Sequence, residues 1–112
     1  MKIKYFIIAL FSFTFLTFAQ ANSTNSSVDC IILEDEDSII CKYTHNRVDY
    51  NKIITVQWIE PDNQITRTRE MIIPAHHGSI YDYRYKNGRT KGIWTFKVID
   101  DDKEHKTNFT ID

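Results

Sequence analysis

Beyond residue 27, apolar and polar side chains alternate in short runs rich in β-branched and aromatic residues, and turn-forming residues interrupt them about every ten positions. A period of two places one set of side chains on a buried face and the other in water, so each run reads as a strand. Seven strands are expected, over 28–33, 38–44, 53–59, 64–73, 79–86, 92–100 and 106–111. No stretch carries a sustained helical period. Seven short strands at this spacing predict an all-β sandwich occupying residues 28–112 as a single domain.

The alternation also assigns faces. Ile54, Val56 and Trp58 share one face of the third strand, Trp94, Phe96 and Val98 one face of the sixth, and Thr107, Phe109 and Ile111 one face of the seventh. These are the expected core. In the fifth strand Tyr81, Tyr83 and Tyr85 oppose Ile80, Asp82 and Arg84. A tyrosine face can cover one end of the core with its hydroxyls wet or form an exposed recognition surface; burial is the expected arrangement. Pro61-Asp62-Asn63 predicts a turn after the third strand, Asn87-Gly88 suits the positive φ angles of a tight hairpin, and Asp100-Asp101-Asp102 a polar reversal.

Ahead of this pattern, Lys2 and Lys4 precede the apolar run YFIIALFSFTFLTF and then Ala19-Gln20-Ala21. This is the order of a cleavable secretory signal, expected over residues 1–21, with 22–27 a flexible new N-terminus. Without Lys2 and Lys4 the chain keeps twelve basic against fifteen acidic side chains, net −3, which excludes a nucleic-acid binder built on global positive charge. The mature product is expected to be periplasmic or secreted, with no membrane span. Export places Cys30 and Cys41, the sole cysteines, in an oxidising compartment, and the intervening IILEDEDSII reads as strand, turn and strand, so a disulfide tying an N-terminal hairpin is expected.

The segments ITVQWIEPDN and GIWTFKVIDDDKEHKTNFTI, through Trp58, Pro61, Gly92, Trp94, Val98, Phe109 and Ile111, resemble exported bacterial immunoglobulin-like sandwich domains, including macroglobulin-like ones. The resemblance spans about half the mature chain and implies fold rather than activity. Cys30 and Cys41 depart from it, being too close in sequence to form the distant inter-sheet pair of antibody domains. A weaker likeness concerns HHGSIYDY, which at Gly78 and Tyr81 is similar to the S-G-x-x-Y loop of small periplasmic lysozyme inhibitors, with His77 in the serine position.

Catalytic motifs are missing from the sequence: it has no nucleophile elbow, no phosphate-cradling glycine loop and no HExxH, and its three glycines stand at 78, 88 and 92. The expected function is therefore a non-enzymatic, cofactor-free binding protein of the bacterial envelope, its partner a protein or an anionic glycan. His77, Gly78, Tyr81, Tyr83 and Arg84 are the candidate partner-binding residues. Arg67 and Arg69 share a strand face, as do Arg84 and Lys86; with Arg89 and Lys91 they could form a basic stripe suited to an anionic partner, or simply the wet side of a sheet. Two alternatives remain open. One is a copper or zinc site at His76 and His77 with Met71 nearby, His45 and His105 lying elsewhere; the other is the inhibitory loop. Glu34-Asp35-Glu36-Asp37 lacks the spacing of a calcium loop and reads as a solvated hairpin tip.

Overall fold

The structure, a computed structural model, describes residues 26–112. The expected signal over 1–21 and most of the expected mobile segment, 22–25, lie outside the described residues. Seven strands follow in order: β1 (Ser27–Leu33), β2 (Ser38–Thr44), β3 (Lys52–Ile59), β4 (Ile65–Ile73), β5 (Ser79–Tyr85), β6 (Gly92–Asp100) and β7 (Lys103–Ile111). They build two antiparallel sheets, β1-β2-β5 and β4-β3-β6-β7. Hairpins join β1 to β2, β3 to β4 and β6 to β7, while the remaining connections cross between the sheets, the Greek-key wiring of an immunoglobulin-like sandwich. In antibody constant domains the fourth strand joins the first sheet; here β4 pairs with β3 instead, leaving β4 and β5 as free edges.

Each expected strand is present, with bounds moved by local pairing. Ser27 already pairs with Thr44, so β1 takes one residue from the segment expected to be mobile. β7 starts at Lys103 because Asp100 pairs with Lys103 across a two-residue turn in which Asp101 takes φ 57°. The tip between β1 and β2 is a single 3-10 turn over Glu34–Glu36, closed by Asp37 in the left-handed region. Asn87-Gly88 departs from expectation. Gly88 has the positive φ of 82°, but the turn leads from β5 to β6, which lie in different sheets, so no hairpin forms. The dipeptide sets a local bend; which strand comes next to which is set by β5 pairing with β2 and β6 with β3.

The core lies where the alternation placed it, except that Thr107, expected to share it, is only half-buried. Ile54, Val56, Trp58, Trp94, Phe96, Val98, Phe109 and Ile111 are buried from the four-stranded sheet and face Val28, Ile39, Cys41 and Tyr43 from the other. Trp58 meets Phe96 and Phe109 edge to face, at 5.2 and 5.8 Å between ring centroids, a preferred aromatic geometry. Gly92 shows why one motif position needs glycine. Its φ is 128°, and a Cβ there would stand 2.9 Å from Pro61 Cγ.

Cys30 and Cys41 are register partners on β1 and β2 and form the disulfide, with Cα atoms 4.1 Å apart. Closing so short a loop restricts the unfolded chain and stabilises the fold by about 3 kcal/mol. A Cys30→Ala, Cys41→Ala variant is expected to keep its β-sheet circular dichroism while its denaturant midpoint falls by an amount equivalent to about that figure.

Candidate functional site

In β5 the burial phase is the reverse of the expected one. Tyr81, Tyr83 and Tyr85 are exposed, at 56%, 56% and 60%, whereas Asp82 is buried at 3% and Arg84 is half-buried. The register explains it: Ile80, Asp82 and Arg84 pair with Tyr43, Cys41 and Ile39, all inward residues of β2. A buried carboxylate is tolerated when its lone pairs are filled by donors, above all charged ones. Asp82 Oδ2 accepts from Trp58 Nε1 at 2.8 Å, and Oδ1 accepts from Arg69 Nη1 at 2.7 Å and from Arg67 Nη1 at 3.3 Å. Arg84 then lies over the Trp58 ring at 5.4 Å, a cation–π contact.

Arg67 and Arg69 reach Asp82 because they occupy the inward face of edge strand β4, continuing the row of Ile73 and Met71. The two edge strands thus bound a cleft of about 280 Å³ lined by Arg67, Arg69, Asp82, Tyr83, Arg84, Tyr85 and Arg89. Four guanidiniums face one carboxylate. Arg84 Nη1 donates to Thr66 Oγ1 at 3.1 Å and Arg89 Nε to the Tyr85 carbonyl at 2.8 Å, so neither has an anionic hydrogen-bond partner among the described residues. Burial, and then the charges of Arg89 and Arg67, depress the Arg84 pKa. Of the expected basic stripe, Arg67, Arg69, Arg84 and Arg89 come together; Lys86 instead pairs with Glu34 at 2.7 Å, and Lys91 does not line the cleft.

A reciprocal arrangement sits at the other end of β3. Asp100, on β6, accepts from Tyr43 Oη at 2.6 Å across the sheets and pairs with Lys52 Nζ at 2.6 Å. Beside it a pocket of about 300 Å³ is lined by His45, Lys52, Asp100 and His105 among others. His45 is buried, and burial followed by the Lys52 charge lowers its pKa, favouring the neutral ring. Burial by itself would raise the Asp100 carboxyl, but the bonds from Lys52 and Tyr43 and the Lys52 charge hold it below its usual value.

The remaining candidates are spread apart. Tyr81 lies on the outer face of β5 with Lys42 over its ring at 5.7 Å, and Tyr83 meets Tyr85 edge to face at 6.1 Å. His76 and His77 are exposed in a turn braced by bonds from His76 N to Val48 O, from Arg47 Nη1 to His76 O and from Ala75 N to Asn51 Oδ1. Gly78 gives its carbonyl to His45 N at 2.9 Å. Met71 packs against the core, on the sheet's inner side, away from that exposed turn. Among the described residues no three His, Cys, Asp or Glu side chains group as a metal site. The sequence reading missed Asp82, Asp100, Tyr43 and Lys52; the signal available for Asp82 was the inward Trp58, whose indole N–H needs a buried acceptor. No family model matches the chain, and no curated protein matches it in sequence.

Asp82→Ala leaves the buried Trp58 N–H without its acceptor, while the released Arg67 and Arg69 can turn to solvent, so it is expected to lower unfolding free energy by about 1–3 kcal/mol in denaturant titrations. Asp100 gives a pH dependence of definite sign. Its folded pKa lies below the unfolded value of about 3.9, so its contribution is complete above that value and is lost as pH falls through the folded one. Tyr43 is pushed up to about 12 by burial and by its bond to Asp100, so its contribution is present below pH 10.0 and is lost as pH rises toward about 12. Acid titrations of stability should lose their lowest-pH component in Asp100→Asn, and tyrosinate absorbance should show one tyrosine ionising at about 12 in the wild type and at lower pH in the variant, still above 10.0 because burial, the larger cause, is unchanged.

Proposed function

We propose that this chain is a small exported binding protein, without catalytic activity, that engages an anionic partner of the bacterial envelope through the cleft between β4 and β5. The carrying observation is the charge imbalance there: Asp82 is saturated by Trp58, Arg67 and Arg69, while neither Arg84 nor Arg89 has a carboxylate hydrogen-bond partner among the described residues. Confining like charges is unfavourable, and an incoming anion relieves it. Between two edge strands the cleft is open to a partner, and Tyr83 and Tyr85 flank it. Guanidiniums and tyrosines are the side chains that dominate recognition surfaces.

Export is supported by the expected leading signal and by the Cys30–Cys41 disulfide, which persists in oxidising compartments. Among the described residues no helix is long and apolar enough to cross a membrane. A periplasmic or secreted location suits both facts. The anionic polymers of that compartment, acidic protein segments and acidic glycans, are the partner classes that fit the cleft's charge.

Labelled polyglutamate and polygalacturonate, with neutral dextran as the comparison, test this by fluorescence anisotropy. Binding of the acidic polymers is expected to weaken at least tenfold in an Arg84→Ala, Arg89→Ala variant and to fall steeply with added salt. Equal binding of dextran, or turnover of any offered substrate by pure protein, overturns the reading.

A further inference from the structure

We propose that the β4–β5 cleft is a phosphate-monoester site, with Arg67, Arg69, Arg84 and Arg89 closing on the phosphoryl oxygens. This rests on the reading that the cleft binds an anion and names the anion's chemistry. Charge comes first. With one carboxylate already inside, four guanidiniums leave an excess of three positive charges. A bound carboxylate would leave two, whereas a phosphate monoester, close to a dianion at neutral pH, leaves about one.

Direction of approach makes the same choice. A planar carboxylate is satisfied by one guanidinium fork, two parallel N–H bonds in one plane. Here the guanidiniums come from three parts of the chain: Arg67 and Arg69 from β4, Arg84 from β5 and Arg89 from the connection to β6. Donors arriving from separate walls match the three diverging oxygens of a tetrahedral group. Enough donors remain. Among the described residues the side-chain bonds of Arg67, Arg69 and Arg84 run through Nη1, and that of Arg89 through Nε, leaving Nη2 of the first three and both terminal nitrogens of Arg89 for a ligand.

Size sets the limit on what carries the phosphate. A cavity of about 280 Å³ holds a phosphoryl group and the first atoms of its carrier, whereas an acidic polymer places only a carboxylate or two in it and lies mostly outside. The carrier extends out toward Tyr83 and Tyr85. A soluble sugar or polyol phosphate, a phosphorylated glycan and a phosphorylated lipid headgroup all present this same chemistry.

Calorimetry with glycerol phosphate, inorganic phosphate and glucuronate tests the site on the purified chain, and intrinsic tryptophan fluorescence reports on Arg84 because its guanidinium lies 5.4 Å over the Trp58 ring. Glycerol phosphate is expected to bind one to one, at least tenfold more tightly than glucuronate, with a change in tryptophan emission. Affinity should rise about tenfold from pH 5 to pH 7.5 as the ligand's second ionisation near 6 completes; none of the residues lining the cleft is a histidine, so that rise reports the ligand. Arg89→Ala, a truncation of a half-buried side chain in the connection between β5 and β6, should cost tenfold in affinity, and Lys97→Ala, a β6 residue paired with Glu104, should cost nothing. Sedimentation with phosphatidylcholine vesicles, with and without phosphatidic acid, separates a lipid source from a soluble one, and either supports the site if Arg89→Ala weakens it about tenfold. Glycerol phosphate binding no tighter than glucuronate, or unaffected by Arg89→Ala, overturns the phosphate site. If the acidic polymers still bind in that case, the anionic-partner reading stands alone; if no anion binds, both fall.

Discussion

The indole of Trp58 donates to Asp82 from one sheet to the other, and the placement of β5 follows from that bond. A buried carboxylate without donors would expel itself or take up a proton, so Asp82 can face the core only where Trp58, Arg67 and Arg69 reach it. Once it does, β5 has no freedom of phase. Arg84, two residues on, is carried inward over the Trp58 ring, and the three tyrosines between and beside them are carried out into solvent.

The same device recurs in mirror form at the other end of β3. There the carboxylate, Asp100, belongs to the four-stranded sheet and the aromatic donor, Tyr43, to the three-stranded one. Each sheet therefore supplies one buried acid and one aromatic donor. In both places the compensating cations come from β3 or β4: Lys52 for Asp100, Arg67 and Arg69 for Asp82. Apolar packing is non-directional and would allow the sheets to slide, whereas two directional bonds toward opposite ends of β3 fix their relative position. The disulfide adds nothing to that alignment, because it joins neighbouring strands of a single sheet.

The two ends differ in what is left over. At Asp100 the charges nearly balance, with Lys52 shared between Asp100 and Asp101 at 2.6 and 3.7 Å. At Asp82 the arginines outnumber the acid, and the free edges of β4 and β5 leave that surplus accessible. An arrangement needed only to hold the sheets together would require one or two cations. The excess is the feature on which the proposed anion site rests.

Strand number, the core residues of β3, β6 and β7, and the Cys30–Cys41 hairpin were all legible in the sequence, because each depends on a local period of two or on short separation along the chain. Gly92 was marked by its motif, though only its approach to Pro61 explains it. The phase of β5 was not legible. Alternation offered two faces, one of three tyrosines and one of Ile80, Asp82 and Arg84, and hydrophobicity favoured the wrong one, since the partners that make a buried aspartate tolerable lie 24, 15 and 13 residues away on other strands. Asn87-Gly88 likewise announced a turn but not that its flanking strands belong to different sheets. The arginines of the cleft were visible as basic residues; that four of them converge around one acid was decided by tertiary structure, because charge along a chain carries no record of which edges will face each other.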